Sequence, residues 1–146
     1  MATVATYLNF PRTTEEAFTF YASVFKTEFS APILRFGPHG CGGAPLPEAD
    51  QQLVMHVCLP ILGGHLLMGT DAQESMGRNC ITGTNVFINL MPDAKAEADA
   101  LFAALSAGGS IDCPMQDMFW GDYFGTLTDR FGIQWMINCP GQHAAA

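Results

Sequence analysis

The chain is written twice. A single displacement puts Pro11 on Pro92, Ala17 on Ala98, Tyr21 on Phe102 and Val24 on Leu105. A second, shorter displacement puts Gly64 on Gly132, Leu67 on Trp135 and Met68 on Met136. The displacements differ because the first half carries a longer loop, Gly37 to Asp50, dense in glycine and proline. Each half reads as βαβββ, and a lone unit of that kind can bury only one sheet face against its helix. The expectation is an α+β fold: tandem βαβββ modules forming a cupped mixed sheet with helices on the outer face. A concave, half-open sheet surface closed by the second module is then the natural small-molecule site. Module one is placed at about 3–71, a polar linker at about 72–83 and module two at about 84–139, within one domain of 1–146.

Local signals support the two modules. Val4 to Phe10 reads as a strand ended by Pro11, and Thr13-x-x-Glu16 matches a capping box for the helix that follows. That helix repeats Ala17, Tyr21, Val24 and Phe18, Tyr21, Phe25 at helical spacing. Strands are expected over Glu28 to Phe36, Gln52 to Leu62 and His65 to Thr70, the last two around Gly63-Gly64. The pattern restarts at Asn85 to Met91, with Asp93 as helix cap and Ala98, Leu101, Phe102, Leu105 as the apolar stripe. Gly108-Gly109 ends that helix, and Ser110 to Pro114 starts the next strand. The closing hairpin runs over Tyr123 to Thr128 and Ile133 to Asn138, reversed at Asp129-Arg130-Phe131-Gly132.

Composition narrows the partners. Fourteen acids against six bases give −8, which disfavours nucleic acid and anionic membrane surfaces. No apolar run approaches the ~20 residues needed to span a bilayer, and no basic segment leads into an apolar core as in a secretory signal. The five cysteines form no C-x-x-C pair, so reduced thiols in a cytoplasmic protein are expected and a zinc site built from them is not.

Three stretches carry a family resemblance that runs from about Tyr7 to Asn138. They are Ala17 to Phe25, AFTFYASVF; His56 with Gly63-Gly64 and Leu67-Met68-Gly69-Thr70-Asp71; and Met118-Phe119-Trp120-Gly121 followed by Thr128 to Asn138, TDRFGIQWMIN. The chain resembles the PhnB-like branch of the vicinal oxygen chelate superfamily, which includes glyoxalase I, extradiol dioxygenases, and fosfomycin and bleomycin resistance proteins. The resemblance implies the fold; one superfold hosts many chemistries. It also implies a homodimer. Enzymes of this superfamily hold a divalent metal with one imidazole or carboxylate from each of four strands, the first and last of both modules. Here Thr6, Met68, Phe87 and Met136 stand at or beside those places, and small slips of the alignment bring in Tyr7, Gly69, Asn85, Val86 or Ile137. The expectation is therefore no metal at the usual site, with any other cofactor unknown. PhnB-like proteins also carry a quinone-type methyltransferase label, for which no Gly-rich strand-to-helix loop is present.

Candidate site residues follow. Met68, Phe87, Met136 and Met55 suit an apolar, adaptable lining. Gln134 and Asn138 share a face with Met136 as neutral hydrogen-bonding groups, while Trp120, Tyr123 and Asp122 cluster at the mouth of the last hairpin. These define the first reading, a protein that binds a small, partly apolar molecule. The alternative is a metal-dependent enzyme of isomerase, dioxygenase or transferase type. Its ligands would be relocated around His56 and His65, with Cys58 and Asp122 as helpers; His39 and Cys41 lie on the long loop. His56 alternatively serves as a hydrogen-bonded sheet histidine, Cys58 as a core residue, and Asp71 and Asp129 as turn formers. His143 falls in a Gly-Ala tail.

Overall fold

The computed structural model describes residues 1–38 and 45–141, so His39, Cys41 and His143 lie outside it. Among the described residues eight strands and three α-helices follow one another as β1 Thr6–Phe10, α1 Thr14–Phe25, β2 Leu34–Arg35, α2 Glu48–Gln51, β3 Val54–Pro60 and β4 Leu66–Asp71. β5 Ile88–Leu90, α3 Lys95–Ser106, β6 Ser110–Asp117, β7 Tyr123–Thr128 and β8 Gln134–Cys139 complete the chain. The chain separates into two units, Met1–Ile81 and Thr82–Ala146. Each contains one four-stranded mixed sheet, in the order β1-β4-β3-β2 and β5-β8-β7-β6. The fold is α+β and the βαβββ repeat holds, with α2 inserted in the first copy only.

The repeat extends to single hydrogen bonds. Ile61 N–H donates to His65 O and Asp129 N–H to Ile133 O, both at 2.8 Å. These close the two hairpins that the pairing of Gly64 with Gly132 makes equivalent. β1 and β4 run parallel with Tyr7 opposite Met68, and β5 and β8 run parallel with Asn89 opposite Met136. By register Tyr7 therefore corresponds to Asn89, whereas the displacement that relates the helices would pair it with the preceding residue, Ile88.

Each helix covers one sheet face. Ala17, Phe18, Tyr21 and Val24 of α1 are buried, and so are Ala98, Leu101, Phe102 and Leu105 of α3, as the spacing predicts. They pack on the inward positions of the strands: Phe10, Val57, Leu59 and Leu67 in the first unit, Leu90, Leu127, Trp135 and Ile137 in the second. Gly69 is required on β4, because a Cβ there would meet Phe18 Cε1 at 2.5 Å. Such close approach of helix to strand needs a residue without a side chain.

Several expectations are corrected. The strand expected over Glu28 to Phe36 contracts to Leu34–Arg35, since Pro32 has no N–H to donate and a register shift separates Leu34 from Arg35. The strand expected over Asn85 to Met91 contracts to β5, and the one expected at Ser110 to Pro114 extends to Asp117. Thr13 makes no capping hydrogen bond with its side chain. The acceptor comes from a distant part of the chain: Thr14 N–H donates to Asp71 Oδ1 at 2.9 Å, while Val54 N–H donates to Asp71 Oδ2 at 2.8 Å. Asp71 therefore pins the start of a helix to the start of a strand instead of forming a turn. Asp93 does not cap α3 either; the cap position is Ala94, without a side-chain bond.

Residues 72–81, read as linker, pack with the first unit. Ala72 N–H donates to Phe10 O at 2.8 Å and Cys80 Sγ to Asn9 O at 3.3 Å. Ser75 Oγ donates to Asp50 Oδ2 at 2.5 Å.

Candidate functional site

In the first unit, strand alternation sends Tyr7 and Asn9 of β1, His56 and Cys58 of β3, and Met68 and Thr70 of β4 away from the helix. Tyr7 stands opposite Met68, and Met68 opposite Cys58, so these side chains form one patch on the open face. The hydroxyl of Tyr7 and Nδ1 of His56 are hydrogen-bonded at 3.1 Å. Beside this patch lies a cavity of about 550 Å³ whose walls include Tyr7, Asn9, Met55, Thr70, Arg78 and Asn79. Its volume falls in the range of about 300–1,000 Å³ usual for small-molecule sites, and its mixture of aromatic, thioether, amide and hydroxyl groups is theirs too.

The wall contributed by residues 72–81 is held by ionic contacts. Arg12, whose φ of 67° places it in the left-handed region, directs Nη2 to Asp50 Oδ1 at 2.8 Å and lies 3.8 Å from Glu74. The Ser75 hydroxyl, then the Arg12 guanidinium, hold the Asp50 carboxyl below the usual carboxylate range despite its burial. The same pairing raises the pKa of Arg12. Asp50 thus ties the wall segment to α2, just before β3.

His56 and His65 do not converge. His65 precedes β4 with the parity of Leu67, on the helix side, where its Nε2 is hydrogen-bonded to Thr6 Oγ1 at 2.9 Å. His56 belongs to the open face. Cys58 shares that face, 3.6 Å from the Ser30 hydroxyl. Among the described residues no group of three or more His, Cys, Asp or Glu side chains is placed to hold a metal ion. The open-face groups at the superfamily's metal positions are the thioethers of Met68 and Met136, with Tyr7 and Asn89 opposite them. Thr6 points to the helix side and Phe87 precedes β5. Thioether, phenol and amide are not the imidazole and carboxylate that the resemblance implies at these positions.

In the second unit Gln134, Met136 and Asn138 lie on the open face of β8, opposite Thr128, Thr126 and Phe124 of β7. Gln134 Nε2 donates to Val86 O at 2.8 Å. Asp122 accepts from Asn138 Nδ2 and from the Gly141 N–H, both at 3.0 Å, which ties the hairpin mouth to the residues that follow β8. Trp120 meets Phe124 edge to face at 5.7 Å, and Phe119 is fully exposed. Tyr123 is not with them. It has the parity of Gly125 and Leu127, on the α3 side, where its hydroxyl donates to Asp99 Oδ1 at 2.6 Å and Lys95 Nζ sits 4.9 Å from its ring. The Asp99 hydrogen bond raises the pKa of Tyr123, with desolvation in support. Asp129 forms its expected turn, accepting from Phe131 and Ile133 N–H, and its second oxygen accepts from Trp135 Nε1 at 2.8 Å.

Sequence reasoning missed Asn9, Arg78 and Asn79. Asn9 was findable, since it alternates with Tyr7 on an expected strand. Arg78 and Asn79 carry no periodic signal and reach the cavity only because residues 72–81 fold back on β1.

Residues 2–138 match the model of the family described as 3-demethylubiquinone-9 3-methyltransferase. The chain belongs to this PhnB-like family. Its fold is that of protein PA1353 from Pseudomonas aeruginosa, at 34% identity and TM-score 0.80 over 97% of this chain and 100% of that one. It is also similar to a PhnB protein from Bacillus cereus described as a putative 3-demethylubiquinone-9 3-methyltransferase, at 26% identity and TM-score 0.72 over 94% of this chain and 99% of that one. A fosfomycin resistance protein from Listeria monocytogenes shares the fold alone, at 11% identity and TM-score 0.65 over 99% and 98%. The chain spans 57–64% of the length of the curated relatives it matches.

Proposed function

We propose that this PhnB-like protein binds a small, partly apolar molecule on its open sheet surface without the superfamily's usual metal. The cavity beside Tyr7 and Met55 carries the reading: it combines apolar side chains with the amide and hydroxyl groups of Asn9, Thr70 and Asn79. Thioether and aromatic side chains adapt to ligands of irregular shape. Asn9, Thr70 and Asn79 supply orientation without acid–base chemistry at neutral pH.

Metal analysis by mass spectrometry tests the metal-free part, on untagged protein purified without chelator and with divalent ions added back. No stoichiometric metal is expected under any loading. Metal lost in His56→Ala would favour the relocated-site enzyme instead. A thermal-shift screen tests the binding part, because a ligand selective for the folded state raises the melting temperature by mass action. A broad screen that never moves it overturns the reading.

The competing reading is the methyl transfer in the family's description. Transfer of label from a sulfonium methyl donor to a demethylated quinone would establish it, and its absence over an excess of both would leave the binding reading in place.

A further inference from the structure

We infer that the cavity of the first unit takes a ligand with an oxyanion head, a carboxylate or phosphate on a small apolar body, and that Arg78 receives that head. This rests on the binding reading above and names its ligand class. The chain holds six basic residues against fourteen acids. Arg12, Arg35 and Lys95 each stand within 4.0 Å of a carboxylate. Arg78 does not: among the described residues its guanidinium has neither ion pair nor hydrogen bond, and only its backbone N–H is engaged, on Gln73 O at 3.0 Å. Among the described residues Lys26 also stands without a carboxylate within that distance, so it is the setting of Arg78 that distinguishes it. Arg78 forms part of a cavity wall.

Its surroundings suit an anion. Asp71 is the carboxylate of the lining; it is 4% exposed and each oxygen already accepts a backbone N–H, from Thr14 and from Val54. No lining carboxylate is therefore left to compete for the guanidinium. Asn79 adjoins Arg78 and Asn9 lies on the same cavity, and each can donate an amide hydrogen to a second oxygen. Tyr7 and Met55 give the apolar body its contact surface. A guanidinium presents parallel N–H donors that match the two oxygens of a carboxylate or phosphate, giving position as well as attraction.

The test uses four probes that share a phenyl body: phenylacetate, phenyl phosphate, neutral phenylacetamide and cationic phenethylamine. Each is titrated into nitrogen-15-labelled full-length protein. The two anions should shift the amide resonances of Tyr7, Asn9 and Asn79 saturably, at least tenfold more tightly than the amide or the amine. Added potassium chloride should weaken the anions alone, a measurement that needs no variant. Arg78→Gln should bring the anions to the level of phenylacetamide, and Arg78→Lys should retain part of the difference. Whichever anion binds more tightly separates the carboxylate source from the phosphate source. Equal affinity for phenylacetate and phenylacetamide, or unchanged anion affinity in a folded Arg78→Gln, overturns the anion inference and leaves the binding reading standing. No saturable shift at this face with any probe overturns both.

Discussion

Asp71 shows how much one side chain can decide. Its two oxygens satisfy N–H groups on α1 and β3, so one buried carboxylate replaces the capping box that Thr13 and Glu16 suggest. Removing it leaves two backbone donors without acceptors. Asp71→Ala should destabilise the protein by about 2–4 kcal/mol, read from urea unfolding; a loss below about 0.5 kcal/mol would show that the helix start finds another acceptor. Asp50 makes a prediction in pH. Its carboxyl is held low by Ser75 and Arg12, so the folded state binds a proton less readily than the unfolded chain. Its stabilisation is complete above the unfolded aspartate value of about 3.9 and is lost as pH falls through the lower folded value. Wild-type stability should therefore fall toward Asp50→Asn as the pH drops from 5 to 2, in denaturant titrations at each pH. Parallel curves would remove Asp50 from the acid response.

The helices are the elements that sequence describes best. The stripes of α1 and α3 bury the positions their spacing selects, because a period of 3.6 is a property of neighbouring residues alone. The strands are harder. Glu28 to Phe36 has strand-forming residues yet forms a ladder only at Leu34–Arg35, with single backbone hydrogen bonds at Ser30 and Phe36, since a ladder needs a partner in register as well as propensity. Tyr123 carries the same lesson: one position decides which face of β7 it occupies, and that puts it on Asp99 and not beside Asn138. Close contact between elements can also be tested. Gly69→Ala would drive a Cβ to 2.5 Å from Phe18 Cε1 and 3.2 Å from Leu8 O. A cost of about 1–3 kcal/mol is expected from overpacking, with Phe18→Leu in the same chain recovering part of the lost melting temperature. Full additivity of the two changes would mean that the contact is not the cause.

For the whole molecule, the homodimer implied by the superfamily resemblance stands as a proposal. It has physical support in exposed apolar side chains, Ile81 at 89%, Val86 at 68% and Met91 at 62%. Sedimentation velocity should find a species of twice the 15.7 kDa chain mass, and a monomer at every concentration would overturn it. The amino-acid sequence by itself determined the repeat, the βαβββ order, both helix faces and the two corresponding hairpins. Each of these is carried by local periodicity, or by a turn whose glycine recurs at constant displacement. The common face of Gln134, Met136 and Asn138 is legible for the same reason, since alternation needs no knowledge of distant contacts. Only the tertiary structure decided what depends on remote parts of the chain meeting. It put His56 and His65 on opposite faces, brought Asp71 to the start of α1, and folded residues 72–81 back so that Arg78 reaches a cavity beside Tyr7. Sequence patterns report neighbours along the chain, whereas register and loop return select neighbours in space.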